Sequence, residues 1–555
     1  MRKFNIYIST ILMLLITASS CNKFLDIDPK DSQDQDSFFR TSTEARQALI
    51  GTYELLRNDN LDWQAMPMAL TADVMSDDVY TGGSNATDML GWQQMARFDA
   101  RAIGDQGAKT WKKCYVGIQR ATTLLTSYDK IDFKASEAEL KNNIEGEALF
   151  LRGHYYFEVL RYFENVPIVR TTLNGSDWEA VEQSTPDEAY AYAAKQMLDA
   201  IPLMSEQHPE NDLGRLTKWA AKAELVKMFM FYTGVYQKSE MPVEDSNAFT
   251  QQDAVNMLEE IITKSGKTLS TKYEDLFNQN GNFNQEVLFE ICFANTGTGD
   301  WSHNKLGNYQ CTMAGPRGHN SNTLAQGWGF GSPTRELENL FVAGDTRKAS
   351  TIIYAKELVD KEQEDYEGED PFSPNLEWHY TYTGMFTYKY TTHAYRRTDA
   401  GTPELNYDQN YHYIRLADVY LMAAELNLVT GNQGKADDYV NRVRTRAGLT
   451  PVTGVSIDDI FTERRLELAM EGHRYFDVLR RGLSYAKQEL DVSGYTLTLP
   501  TDEEEEYMKN GQNLTGDVGN PVDFEVNFDM GKRGFLPIPQ RELDLNAGFK
   551  QNTGY

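Results

Sequence analysis

The stretch Phe461–Gly482, FTERRLELAMEGHRYFDVLRRG, decides the fold because it joins a narrow apolar row to a high density of charge. Apolar side chains recur there at steps of three and four residues, which predicts one amphipathic helix. We expect Gly472 to let another backbone approach the middle of that helix, and Gly482 to stand at its C-terminal cap. The apolar row consists of Leu466, Ala469, His473, Phe476 and Leu479.

A second row on the same predicted helix is acidic, with Glu463, Glu467 and Glu471 four residues apart. One interpretation is catalytic, because glycosidases use two carboxyl groups that flank a bond. The other is structural. Arg464 and Arg465 lie among these glutamates and would hold them ionised, whereas a general acid needs a raised pKa. Because unpaired buried charge is costly, we expect Glu–Arg pairs that lock the helix to its neighbours.

The pattern ERR-x-E-L-A-x-E-G-x-R-x-x-D, from Glu463 to Asp477, resembles the signature helix of the SusD/RagB family. Members of that family are outer-membrane nutrient-binding lipoproteins of Bacteroidetes. The resemblance runs from Leu25 to Tyr555, with Asn165 and Thr553 where Gly and Pro are usual. The other matching segments include GEALFLRGHYYFEVLRYFENVPIV, GWGFGSPTRELENLF, IRLADVYLMAAELNLVTGNQGKADDYVNRVRTRAGL and FLPIPQRELDLNAGFKQNTGY.

The N-terminus has the pattern of a lipoprotein signal peptide over residues 1–20. The apolar core Ile6–Ile16 is too short to span a bilayer, and small residues then precede Cys21. This arrangement resembles a bacterial lipoprotein box, with Ala18 where Leu is usual. Cleavage before Cys21 and lipidation of that residue would tether the mature chain to a membrane. The alternative is ordinary secretion.

Helical patterns in pairs, joined by short links, fill much of the chain. The clearest pair is a hairpin, with one helix predicted over 413–429, a turn at Gly431-Asn432 and a returning helix over 436–447. Such pairs are typical of tetratricopeptide-type repeats. The predicted fold class is therefore mostly α, a tetratricopeptide-like helical-hairpin scaffold with an irregular loop-rich ligand-binding region that carries a few short strands.

We divide the mature chain into two regions at residue 275. Residues 21–275 form an N-terminal SusD-like helical region. Residues 276–555 form a C-terminal SusD/RagB region, with a loop-rich part at 283–412, a helical part at 413–482 and an irregular tail. Within the loop-rich part, the β-branched and aromatic run over 287–294 predicts a strand.

Two segments, 61–108 and 295–331, combine aromatic rings with amide and carboxylate groups. We expect the first to begin as a helix near Leu61 and to continue as a long loop, and the second to lack helical rhythm. Such rings stack on sugar faces while polar groups bind the hydroxyls. Long loops are functional or disordered, and aromatic content argues against disorder. The alternative for each ring is a place in the core. The candidate ligand-binding residues are Asp77, Asp78, Tyr80 and Trp92 from the first segment, and Trp301, Asn308, Tyr309 and Trp328 from the second.

No metal, cofactor or catalytic motif stands out. Cys114, Cys292 and Cys311 lack C-x-x-C or His-rich spacing, so we expect neither a disulfide framework nor a zinc site. We interpret the acidic runs 360–370 and 502–506 as solvated surface, with calcium as the alternative. Neither G-x-S-x-G nor H-E-x-x-H occurs, and we predict a protein that is not an enzyme and has no cofactor.

The formal net charge of −28 argues against nucleic acid as a partner and is compatible with a neutral ligand. The resemblance implies a surface-exposed, lipid-anchored protein of the outer membrane. Such a protein would bind oligo- or polysaccharide and deliver it, without cleavage, to a SusC-like TonB-dependent transporter. The alternatives are a peptide-binding member of the family, a surface glycoside hydrolase, and a purely structural partner of the barrel.

Overall fold

The computed structural model describes residues 38–57, 67–301, 306–364, 376, 379–497 and 522–555. The predicted signal peptide and the predicted lipidation site Cys21 lie outside the described residues. So do the acidic run 502–506 and residues 365–370 of the other acidic run.

Helices dominate the described residues. They are α1 Ser42–Arg57, α2 Met68–Val74, α3 Leu90–Ala96, α4 Asp105–Thr126, α5 Ala138–Phe163, α6 Pro186–Ala200, α7 Lys218–Tyr236, α8 Gln251–Lys264, α9 Tyr309–Ala314, α10 Arg335–Leu340, α11 Ala355–Glu364, α12 Leu416–Val429, α13 Gln433–Arg446, α14 Ile457–Glu467, α15 Arg474–Arg480, α16 Leu483–Leu490 and α17 Gln540–Leu545.

Short strands form antiparallel two-stranded pairs: β1 with β5, β2 with β3, β4 with β8, β6 with β7, and β9 with β10. They are β1 Val79–Gly82, β2 Glu240–Met241, β3 Phe249–Thr250, β4 Val287–Ile291, β5 Phe330–Pro333, β6 Ile352–Tyr354, β7 Met385–Thr387, β8 Tyr411–Arg415, β9 Val492–Leu497 and β10 Val522–Val526. The strand predicted over 287–294 is confirmed over Val287–Ile291 as β4, which ends three residues earlier than predicted.

The long helices α4, α5 and α6 pack side by side and supply much of the main core. Helix α6 begins at a capping box, in which the Glu188 amide donates to Thr185 Oγ1 at 3.3 Å and the Thr185 amide donates to Glu188 Oε2 at 2.8 Å. Pro186 occupies the first helical position, where no backbone N–H is needed. Local sequence thus fixes where this helix starts, and burial against α5 holds it there.

The predicted late hairpin is confirmed as α12 and α13, with α12 packed against α8, α13 and α14. Its first helix was predicted to start at residue 413, which is wrong by three residues. Tyr413 and Ile414 lie instead in β8, which pairs with β4. Aromatic and β-branched residues suit a buried strand, and Ile414 lies opposite Phe289 of β4, whereas Tyr413 lies at an irregularity of the pairing.

The signature stretch is not one helix, and this corrects the prediction. Helix α14 ends at Glu467 and α15 begins at Arg474, with Met470 at φ 59° and Gly472 at φ 74° between them. The Gly472 amide donates to Asp73 Oδ1 at 2.8 Å, and a Cβ on Gly472 would lie 2.9 Å from Ala69 Cα. The close approach expected at Gly472 is therefore real, but it occurs at a break between helices.

The loop-rich region is joined to the first irregular segment through the pair β1–β5. Tyr80 lies opposite Ser332 in this pair, and Gly82 lies opposite Phe330. Beyond the pair, the Gly83 amide donates to the Gly329 carbonyl at 3.1 Å. The two segments from which the candidate ligand-binding residues came are therefore held against each other.

Candidate functional site

The acidic row of the signature stretch is fully engaged in ion pairs. Buried Arg415 donates to Glu467 Oε1 at 2.8 Å and to Glu471 Oε2 at 2.8 Å, and Arg347 donates to Glu463 Oε1 at 2.6 Å. Burial alone would raise the pKa of Glu467 and Glu471, but the adjoining cations hold both pKa values below the usual range. A general acid needs the opposite shift, so the structural interpretation of this row is the one that fits.

Asp77 and Asp78 also pair with arginines of the signature stretch. Arg474 Nε donates to Asp77 Oδ1 at 2.7 Å, and Arg465 Nε donates to Asp78 Oδ1 at 2.6 Å. Burial would raise the pKa of Asp77, but Arg474 lowers it below the usual range. These two carboxylates tie the first irregular segment to the scaffold instead of facing an open cavity.

Tyr80, Trp92 and Asn308 lie in the interior. Trp92 is 1% exposed and packs against Phe330 with ring centroids 5.3 Å apart. Asn308 is 2% exposed; its Nδ2 donates to the Gln409 carbonyl at 2.8 Å, and its Oδ1 accepts from the Gln310 amide at 3.0 Å. Asn308 therefore caps α9 and positions the residue that follows it.

Trp301, Tyr309 and Trp328 come together as a three-ring cluster. The two indole rings are nearly parallel, at an angle of 17° with centroids 5.9 Å apart. The Tyr309 ring meets both edge-on, at 5.6 Å from Trp301 and 5.5 Å from Trp328. All three side chains are half-buried, so each ring is held by packing and still reaches the surface.

The three-ring cluster borders an open cavity of about 550 Å³. The sequence analysis did not predict the other residues that line this cavity. The one signal for any of them was that Arg317 and Gln326 lie in the aromatic segment 295–331. Those other lining residues are Asp88, Met89, Met313, Arg317, Gln326, Gly327 and Phe330. A cavity with apolar ring walls and a few polar groups is the usual form of a small-molecule or oligomer-binding site.

Backbone contacts fix two of the three rings in one unit. Tyr309 opens α9, and the Trp328 amide donates to the carbonyl of Thr312 in the same helix at 2.9 Å. Gly327 lies so close to the end of α9 that a Cβ there would be 2.2 Å from the Gly315 carbonyl carbon. Only glycine fits at that position, and Trp328 is thereby pressed against Tyr309.

Polar groups around the cavity suit hydroxyl binding better than bond cleavage. Asp88 Oδ2 accepts from the Ser84 amide at 2.8 Å, and Arg317 donates to the Trp328 carbonyl at 3.2 Å. Burial raises the pKa of Tyr309, which keeps its phenol neutral. Among the described residues that line the cavity, Asp88 carries the one carboxylate, whereas glycosidases use two.

One group among the described residues has metal-ligand spacing, formed by buried His154, Glu158 and Glu224. Its ligand atoms are largely engaged, because His154 Nδ1 lies 2.7 Å from Glu224 Oε1 and the Tyr413 hydroxyl lies within hydrogen-bond distance of Glu158 Oε1 and Glu224 Oε1. Glu224 Oε2 has no hydrogen-bond partner among the described residues. Arg161 also pairs with Glu158. The guanidinium neutralises this carboxylate and would repel a second cation.

Among the described helices, we find none with the length and apolar character needed to cross a bilayer.

Two family models match the chain. The model described as the SusD family matches residues 285–555, and a SusD-like model described as "starch-binding associating with outer membrane" matches residues 23–230. SusD-like protein P25 of Formosa agariphila is 25% identical over 512 residues, covering 85% of this chain and 89% of the relative. A SusD-like protein of Bacteroides ovatus is 25% identical over 486 residues, covering 84% and 80%.

Solved structures share the whole fold. A laminarin-binding SusD-like protein superposes with a TM-score of 0.74 at 27% identity, covering 93% of this chain and 100% of the other. Surface glycan-binding protein A from Bacteroides thetaiotaomicron, in complex with laminarihexaose, gives a TM-score of 0.75 at 25% identity, covering 92% and 99%. These likenesses confirm the predicted tetratricopeptide-like fold class. With SusD-type models matching residues 23–230 and 285–555, the chain belongs to the SusD/RagB family.

Proposed function

We propose that the protein captures glycan at the cavity beside Trp301, Tyr309 and Trp328 and releases it uncleaved to a SusC-like TonB-dependent transporter. The three-ring cluster is the observation that carries this proposal. Its rings are fixed by packing before any ligand arrives, so little ordering entropy opposes binding. Sugar faces stack on such rings, while Asp88, Arg317 or Gln326 can bond sugar hydroxyls.

Laminarin is the first ligand to test. Two solved structures that resemble this chain over more than nine-tenths of its length are described as binding laminarin or laminarihexaose. Their identity to this chain is 27% and 25%, which leaves the ligand-contacting side chains free to differ. We therefore assign glycan as the ligand class and use laminarin as the probe.

Capture without cleavage follows from where the carboxylates lie. The acidic row of the signature stretch is paired with buried arginines, and the cavity offers a single carboxylate among its described lining residues. A retaining or inverting glycosidase needs two carboxyl groups across one bond. The proposal thus gives the protein a binding role alone.

Surface anchoring and delivery complete the proposal. Lipidation at Cys21 would hold the protein on the outer membrane, consistent with the outer-membrane association named for the family model that matches 23–230. The SusC-like partner is inferred from the family to which the chain belongs. Capture close to a transporter raises the local concentration of ligand at its entrance.

Native gels cast with and without polysaccharide test the binding role. The soluble form that starts at Asn22 is run through gels containing laminarin, starch or xylan, and separate incubations are examined for released oligosaccharide. Retardation in at least one gel without released product is the expected result. Released product would refute capture without cleavage, and no retardation in any gel would refute glycan binding.

A further inference from the structure

Tyr395 is an exposed residue outside the three-ring cluster, with a relative accessibility of 51%. It stacks on buried His393 with centroids 5.2 Å apart and an angle of 22° between the rings. Tyr388 meets His393 from another side at 4.9 Å, and the Arg396 guanidinium lies 5.9 Å from the Tyr395 centroid. Tyr395 is therefore fixed in position although half of it faces solvent.

The backbone beside Tyr395 is joined to the loop that carries Trp328. His393 lies opposite Leu324 in an antiparallel bridge, and the Ala394 amide donates to the Thr323 carbonyl at 2.9 Å. Four residues from Leu324 to Trp328 span at most about 14 Å, and the two residues from His393 to Tyr395 at most about 7 Å. With about 5.5 Å across the bridge, the Cα atoms of Tyr395 and Trp328 are no more than about 27 Å apart.

Exposed amide and hydroxyl groups occupy the chain between these two positions. Asn322, Thr323 and Gln326 are all exposed, and Gln326 already lines the cavity beside the three-ring cluster. Such side chains form hydrogen bonds with hydroxyl groups as readily as with water. The segment therefore offers a polar path from one ring position to the other.

We infer that Tyr395 is a second stacking position for the same glycan ligand. The glycan would stack on the three-ring cluster, follow residues 322–326 and stack again on Tyr395. This inference rests on the proposed function and adds a second contact position to the proposed site. Two rigid ring positions on one connected loop unit would give long chains a tighter grip than short ones.

Calorimetric titration of laminaritriose and laminarin into the soluble protein tests the inference. Tyr395→Ala should weaken laminarin binding about fivefold to tenfold, the usual effect of losing one aromatic contact, and leave laminaritriose binding unchanged. Tyr395→Phe keeps the ring and should bind laminarin as the wild type does. Trp328→Ala should weaken the binding of both ligands.

The outcomes separate this inference from the proposed function. Unchanged laminarin binding by Tyr395→Ala would overturn the inference alone, as would an equal loss in Tyr395→Ala and Tyr395→Phe. A wild-type protein that binds laminarin but gives no measurable signal with the triose supports the second stacking position, provided that Tyr395→Ala also weakens laminarin binding. A wild type that binds no laminarin would contradict the proposed function for this glycan, and the inference, which rests on that function, would then also fail.

Discussion

Replacing Arg415 by alanine tests the structural role of the signature stretch. Arg415 lies in the interior and donates to three carboxylates, those of Glu286, Glu467 and Glu471. Its removal leaves buried negative charge with fewer partners, and breaking such a pair costs about 3–5 kcal/mol. The loss of stability should be smaller than the sum for three separate ion pairs, because Arg446 still pairs with Glu286 and Glu467.

The loss for Arg415→Ala should therefore be about 3–5 kcal/mol in the free energy of unfolding, measured by urea denaturation. Arg101→Ala is the matched control, since the ion pair of Arg101 with Asp99 is exposed, with both side chains 61% accessible. Removing such a surface pair costs less than about 1 kcal/mol. An Arg415→Ala protein as stable as the Arg101→Ala protein would refute the view that this network locks the scaffold.

Three further changes follow from the same physics. Burial would raise the pKa of Asp477, but Arg464 and Arg480 lower it to about 2. Its stabilisation is therefore present above about pH 4 and is lost as the pH falls through about 2, so Asp477→Asn should cost about 2 kcal/mol at pH 7 and progressively less between about pH 4 and pH 2 in urea titrations. Gly472→Ala should destabilise more than the control Gly431→Ala in thermal melts, because both residues have positive φ but only Gly472 is crowded; equal melting temperatures would contradict this. Cys21→Ala should move the protein from the membrane fraction to the soluble fraction of the cell, and unchanged fractionation would contradict lipid anchoring.

Periodic patterns predicted the scaffold well because burial on one face imposes them. The hairpin of α12 and α13 was found this way. Ion pairing of the acidic row was predicted as well, but its cations include Arg347 and Arg415 from other segments. The expectation that Arg464 and Arg465 hold these glutamates ionised is wrong, because Arg464 pairs with Asp418 and Arg465 with Asp78. The break at Met470 was missed, because the apolar row continues in register across it and a left-handed residue other than glycine leaves no mark in the sequence.

Residue type predicted the candidate site only in part. The structure brings together Trp301, Tyr309 and Trp328, whereas Trp92 belongs to the core and Asp77 pairs with Arg474, 397 residues away. The local sequence around a tryptophan does not show whether its ring is buried in the core or exposed at a binding surface. Partners that distant become neighbours only through tertiary packing, which no local pattern encodes.

Glycan binding by the three-ring cluster is the central claim, and calorimetry with laminarin on matched tryptophan variants tests it most directly. Trp301→Ala and Trp328→Ala remove rings of the cluster. Trp178→Ala makes the same change at a half-buried ring that packs on Tyr115 and Phe549, outside the cavity lining. We expect each cluster variant to weaken binding at least about tenfold and Trp178→Ala to bind as the wild type does. Equal binding by all four proteins would contradict the assignment of the site.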